Sequence, residues 1–465
     1  VDVDVVVIGA GPAGENVAGR AVRGGLSAAV VEEHLAGGEC SYYACIPSKA
    51  LLRPMELAAE VSRVPGLSTG PVDVAAVLAR RDEAISGLDD SGQVEWVEKL
   101  PATLVRGRGR LTGPREVEVT AADGTVTRLR ARHAVVLATG SVPVVPGIPG
   151  LAQARPWFNR EATTVRQVPG RLVVLGGGVV ACEMAQALHA LGARETTLLV
   201  RGGLLGRMEP FAGELLADSL RKSGIDLRTG VSVERVERPE DGGPVTVHLA
   251  DGSAVEADEL LVATGREAAV GDVGLESVGL AAEGPIEVDD SMRVPGFDWL
   301  YAVGDVNGRN LLTHMGKYQA RVCGDVIAAR AAGEPDDGPA LRDSADGRGA
   351  PQVVFTDPQA ASVGLTAQAA RRRGMDVRVV DYDMASVAGA YLLGDGYAGR
   401  ARMVVDESRK VPVGVTFVGP GVGELLHAAT IAVTAEVPLE TLWHAVPSFP
   451  AVSEVWLRLL EEYGL

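Results

Sequence analysis

The chain has 465 residues, 46% of them hydrophobic, which is enough for several cores and roughly three domains. Its formal net charge of −17, with no long Lys/Arg run, disfavours nucleic acid and anionic membrane surfaces as partners. Four cysteines in so long a chain do not make a secreted disulfide framework, so a close pair is read first as catalytic or metal-binding.

Residues 1–8, VDVDVVVI, read as a buried strand rather than a charged leader, and the apolar stretches are strand-length or interrupted, so the expected location is the cytoplasm. The chain then runs through a glycine turn and a helix to a second strand, SAAVVEE. Gly9, Gly11 and Gly14 make G-x-G-x-x-G directly after a strand. That pattern allows a tight turn, close approach of a pyrophosphate and a helix N-terminus facing the phosphates. Glu32 ends the second strand, where a carboxylate can accept ribose hydroxyls.

Next comes GGECSYYACIPSKALLRP, in which Cys40 and Cys45 flank Ser41, Tyr42, Tyr43 and Ala44 near the start of an expected helix. The spacing can close a small disulfide loop, whereas zinc would need further ligands. Placement at a helix N-terminus is expected to lower the thiolate pKa. Residues near 103–139 alternate around Gly-Pro and Asp-Gly and predict an antiparallel excursion.

At Arg171 the strand, glycine turn, helix and strand recur, with Gly176, Gly178 and Ala181 in the turn. The following strand ends not in an acid but in Arg201, with Arg207 just beyond. Two guanidinium groups suit a ribose 2′-phosphate, which a carboxylate would repel, so NADPH is expected over NADH. Cys182 and Cys323 lie singly in helical patterns and read as packing residues. Asp305, in YAVGDV, is a second cofactor candidate, and 333–351 reads as a linker before a further domain.

Together these residues resemble the pyridine nucleotide-disulfide oxidoreductases, the group of dihydrolipoamide dehydrogenase, glutathione reductase and mercuric reductase. GGECSYYACIPSK is similar to the redox-cysteine motif of that family. Ala138-Thr139-Gly140 and Ala263-Thr264-Gly265 resemble its two A-T-G strand ends, and Gly304-Asp305 its second FAD motif. The resemblance implies an α/β fold with two Rossmann-like dinucleotide-binding domains and a C-terminal α+β dimerisation domain. The expected segments are 1–150 (FAD, first part), 151–270 (NAD(P)H), 271–340 (FAD and central, second part) and 350–465 (dimerisation). It implies bound FAD, Cys40 as the interchange thiol, Cys45 as the thiol against the flavin, and Lys49 paired with Glu183 near the reactive edge. VVFTDPQAASVGLT resembles the start of the dimerisation domain, so a homodimer with shared sites is implied.

One position departs from the family. The family's C-terminal His-Pro with a following Glu reads here as Phe449-Pro450-Ala451-Val452-Ser453-Glu454, so the acid–base imidazole is missing and His444 is the nearest replacement. No cysteine follows Cys323, which disfavours mercury reduction. The expected activity carries electrons from NADPH through FAD and a Cys40–Cys45 disulfide to a disulfide or other small acceptor. Alternatives are reduction of a quinone, metal ion or oxygen, a thiol oxidase, an enzyme resembling the 2-ketopropyl-coenzyme M carboxylase branch, and a flavoprotein scaffold.

Overall fold

A computed structural model describes residues 1–240 and 242–465. These form two compact units. The first gathers Val1–Pro47, Asp82–Val144 and Arg266–Asp346. The second gathers Ser48–Arg81, Val145–Gly265 and Gly347–Leu465.

In the first unit the strands Ala102–Arg106, Ala28–Glu32, Asp2–Ile8, Val126–Leu137 and Leu300–Ala302 run parallel. Val5, Val6, Val7, Val30, Val135 and Val136 are fully buried, as continuous apolar runs are when both faces of a parallel sheet are covered. The long strand Val126–Leu137 has two roles. Its beginning pairs antiparallel with Glu116–Thr120, which pairs in turn with Arg108–Gly113. The antiparallel excursion is therefore narrower than the alternation suggested. Its expected flanks at 103–106 and 134–137 belong to the parallel sheet, and at 134–137 burial on both faces outweighs the alternation that precedes it.

The helix Pro12–Arg23 starts with Gly11 as N-cap and Pro12 at its first position, where a missing N–H costs nothing. It packs along the helix Thr313–Ala332. A Cβ on Gly324 would stand 2.5 Å from that of Arg20, so the two backbones approach as closely as glycine permits. Arg20 Nε donates to Asp325 at 2.7 Å across the same seam. The stretch 333–351 is anchored rather than a plain spacer: it contains two short turns, Pro339–Leu341 and Asp346–Arg348, and buries Asp343 at 3.6 Å from Arg309.

In the second unit Asp226–Thr229, Glu195–Val200, Arg171–Leu175 and Glu259–Val262 form a parallel sheet, with the helix Val179–Ala190 following its glycine turn. Leu51 and Leu52, on the helix Cys45–Ser62, share its core with Val174, Met184 and Leu188. That burial draws residues 48–81 into this unit instead of leaving 1–150 as one body. The C-terminal part is a five-stranded antiparallel sheet ordered Gln352–Val354, Gln359–Gly364, Val411–Gly419, Arg400–Asp406 and Val377–Asp383. The helices Leu426–Thr434 and Val455–Tyr463 pack on it. Among the described residues no helix is long and apolar enough to cross a membrane.

Candidate active site

The first glycine turn is shaped by backbone contacts. A Cβ on Gly14 would lie 1.9 Å from the Gly9 carbonyl oxygen, and one on Gly9, at φ +107°, would lie 2.3 Å from that of Ala138. At Gly11 a Cβ would meet nothing within 4 Å, so the turn leaves open space at the helix start where a pyrophosphate fits. Glu32 accepts hydrogen bonds from the backbone N–H groups of Ala10 and His34, both at 2.8 Å, which fixes its carboxylate at the strand end. Thr139 Oγ1 donates to the Ala269 carbonyl at 2.7 Å, and Gly140 turns at φ +74°.

Asp305 follows Gly304, which turns at φ +77° and donates its N–H to the Gln319 side chain at 2.9 Å. The Asp305 carboxylate accepts from Ser141 Oγ at 2.6 Å, and Arg266 reaches Ser141 through Nε at 2.8 Å. Burial raises the Asp305 carboxyl above its ordinary range and Glu39 adds to this, while Ser141 and Arg266 oppose it. Asp305 is a held acceptor rather than a helix cap, and together with the open turn it fits the FAD polyol and pyrophosphate. Ser141 and Arg266 were missed in sequence, although each directly follows an A-T-G strand end.

Cys40 lies in the short helix Gly38–Tyr42, and Cys45 is the first residue of Cys45–Ser62. Both are thiols here. Cys40 hydrogen-bonds to Cys45, and Cys45 Sγ lies 3.4 Å from Thr313 Oγ1. The expected lowering of the thiol pKa does not hold for Cys40. The hydrogen bond to Cys45, burial and repulsion from a Cys45 thiolate hold it well above the usual thiol range, with Thr313 and Lys317 pulling the other way. Two adjacent thiols do not ionise together, and Cys40 is in the third position of a five-residue helix. Cys182 and Cys323 are fully buried, and burial pushes Cys182 up to about 12, as befits packing residues.

In the second unit Lys49 Nζ lies 2.8 Å from Glu183 Oε2. The other Glu183 oxygen accepts the Phe355 backbone N–H at 2.9 Å, and the Phe355 ring lies under the ammonium, 5.0 Å from its centroid. Glu183 is buried while Lys49 keeps some access to water. Replacing Glu183 with Ala strands both donors. The variant is expected to lose about 3 kcal/mol in chemical denaturation, against a smaller loss for Glu183→Gln.

The second glycine turn repeats the first. A Cβ on Gly176 would stand 2.3 Å from the Ala263 carbonyl oxygen, while one on Gly178, the N-cap of Val179–Ala190, would meet nothing. Ala181 is buried in that helix, and Gly265 turns at φ +141°. Arg201 and Arg207 are exposed beyond the strand Glu195–Val200, and Arg207 lines a cavity of about 1010 Å³.

Phe449 is 74% exposed, and His444, which ends the short helix Leu439–Trp443, is also exposed. Glu454 is buried. Arg458 pairs with its Oε1, and its Oε2 has no hydrogen-bond partner.

Residues 3–332 match the model of pyridine nucleotide-disulphide oxidoreductases, and residues 350–459 match the dimerisation domain of the same family. The chain belongs to this family. A relative named dihydrolipoyl dehydrogenase, from Chlamydia muridarum, is 30% identical over 97% of this chain and 95% of its own length. A relative named mercuric reductase, from Staphylococcus aureus, is 29% identical over 97% of this chain and 81% of its own. In fold the chain is similar to the HOCl-induced flavoprotein disulfide reductase RclA from Escherichia coli, with a TM-score of 0.85, 24% identity and 99% of each chain covered. As a member of the family this pyridine nucleotide-disulphide oxidoreductase is an FAD-dependent enzyme acting with a pyridine nucleotide. Its dimerisation domain supports a homodimer.

Proposed function

We propose that this oxidoreductase uses NADPH to reduce a small disulfide through FAD and the Cys40/Cys45 pair. The observation that carries the reading is the hydrogen-bonded dithiol, with Cys45 at the start of its helix and against Thr313. When bound, FAD accepts hydride from the nicotinamide and passes an electron pair to the cysteine disulfide. Gly9, Gly11 and Gly14 seat its pyrophosphate, Glu32 its ribose and Asp305 its polyol chain. Gly176, Gly178 and Ala181 seat the nicotinamide dinucleotide, and the Lys49–Glu183 ion pair is the one that the family resemblance assigns to the reactive edge.

Cys45 receives the electrons and Cys40 faces the acceptor. The Cys40 thiolate attacks one sulfur of the acceptor, whose S–S bond breaks. Cys45 then attacks Cys40, closing the disulfide and releasing the second thiol, so two electrons leave the dithiol and two acceptor thiols form. Anaerobic reduction by NADPH followed by reoxidation with small disulfides, quinones, metal ions or oxygen tests the acceptor. Disulfides are expected to reoxidise the enzyme, and reoxidation only by the others would refute this reading.

The choice of NADPH rests on Arg201 and Arg207, which take the place of an acid beyond Glu195–Val200. Both are exposed and screened by salt, so together they are expected to contribute about tenfold. In stopped flow, NADPH is expected to bleach the flavin more efficiently than NADH. Replacing both arginines with Ala is expected to remove about that factor for NADPH and leave NADH unchanged. Equal efficiency for the two cofactors in the wild type would refute the preference.

A further inference from the structure

The loop that follows Glu195–Val200 is fastened at three places within the second unit. Its Leu205 N–H donates to the Gly177 carbonyl at 2.8 Å, inside the second glycine turn. A Cβ on Gly213 would stand 2.2 Å from the Leu204 carbonyl oxygen, so the loop folds closely over the helix Pro210–Lys222 that it leads into. Glu209, 2% exposed, ties it to the C-terminal part: one carboxylate oxygen accepts the Ala367 N–H at 2.6 Å and the other accepts from Arg402 at 2.9 Å. Arg207 lies between the first and last of these ties, and Ala367 opens a short helix that ends in Arg371 and Arg372. Two arginine-bearing segments, distant in sequence, are thereby held together.

Both segments line the cavity of about 1010 Å³. Five arginines and three acids face it. Arg402 is taken up by Glu209 and Asp381, at 2.9 and 2.7 Å, and Arg221 stands 3.8 Å from Asp218. Among the described residues Arg207, Arg371 and Arg372 have no hydrogen-bond or ion-pair partner, which leaves Glu214 as the acid facing them. In a chain of net charge −17 this is a local excess of positive charge, and a concavity lined by one sign concentrates ions of the other. Guanidinium groups match a phosphate with charge-assisted, often bidentate hydrogen bonds. The volume exceeds that of a lone phosphate and has room for a nucleoside beside it.

We propose that Arg371 and Arg372, from the C-terminal part of the chain, hold the 2′-phosphate of NADPH together with Arg207. Cofactor choice is then made by two segments of the second unit and not by the nucleotide-binding sheet alone. The proposal rests on the NADPH reading given above.

The test uses the FAD-loaded enzyme and two probes that differ only in one phosphate, adenosine 2′,5′-bisphosphate and adenosine 5′-monophosphate, titrated by calorimetry. The wild type is expected to bind the bisphosphate more tightly. The double variant Arg371→Ala, Arg372→Ala is expected to weaken the bisphosphate by about fivefold, the size suited to exposed contacts screened by salt, and to leave the monophosphate unchanged. In stopped flow the same variant should need about fivefold more NADPH for half-maximal flavin bleaching, with the limiting rate and the response to NADH unchanged. Arg371→Lys, Arg372→Lys keeps the charge without the planar fork and should fall between the two. Arg373→Ala removes a charge from the next residue, which does not line the cavity, and should bind both probes as the wild type does. Undiminished bisphosphate binding in the double Ala variant, an equal loss for both probes, or a loss as large in Arg373→Ala would overturn the proposal and leave the NADPH reading in place. Equal binding of the two probes by the wild type would overturn the NADPH reading itself, and the phosphate seat with it.

Discussion

Replacing Cys45 with Ser is expected to abolish disulfide reduction, by on the order of 10³-fold or more, while NADPH still bleaches the flavin. A hydroxyl cannot form the disulfide through which the electron pair passes, and its oxygen is a far weaker nucleophile toward sulfur than a thiolate. Dithionite titration measures the same loss without any acceptor. The wild type should take up about four electrons per flavin, two for FAD and two for the disulfide, and Cys45→Ser about two. Cys40→Ser should also fall to about two electrons. It leaves Cys45 in place against Thr313, however, so a long-wavelength thiolate-to-flavin absorbance should persist in that variant alone. Four-electron uptake by Cys45→Ser, or two-electron uptake by the wild type, would remove the dithiol from the mechanism.

The second large effect concerns Phe449. Losing a positioned acid–base group costs about 10²- to 10⁴-fold in steps that move a proton, so the wild type is expected to turn over lipoamide or glutathione disulfide slowly. Its NADPH-to-flavin step, which needs no acid at this position, should remain fast. Phe449→His is expected to raise turnover with an alkyl disulfide by about tenfold or more. The structure adds a reason for this gain. Glu454, five residues further on, is buried with Arg458 on one oxygen and no hydrogen-bond partner on the other, so that oxygen is able to accept an imidazole N–H brought to it. Recovery should be incomplete, because Phe449 stands largely in the open and no surrounding side chain was selected to orient a ring of that polarity. Phe449→Leu should give no gain, and His444→Ala in the wild type should change little. Strong wild-type turnover that collapses in His444→Ala would show that the base had been assigned to the wrong position.

Much of the candidate site was legible because its determinants are local. Gly9, Gly11 and Gly14 announce a strand, turn and helix within one short stretch, and the close carbonyls of Gly9 and Ala138 show why no Cβ is tolerated at two of them. The Cys40 and Cys45 spacing, the loss of an acid before Arg201 and the Phe449 departure are likewise properties of neighbouring residues. Where burial on both faces competes with alternation, as at 134–137, local pattern misleads, because one-dimensional periodicity does not report what covers a strand. Side-chain partners across the chain were not legible at all. Ser141 and Arg266 hold Asp305 only because strand crossovers bring three distant segments together. The helix Thr313–Ala332 carries Asp325 to Arg20 only because glycines at 316 and 324 let it lie against a helix that begins about three hundred residues earlier. The sequence by itself determined the family, the two nucleotide turns and the dithiol, since each is written in short-range spacing. Only the tertiary structure decided which charges face that dithiol, since electrostatic neighbours are set by packing in three dimensions and not by position along the chain.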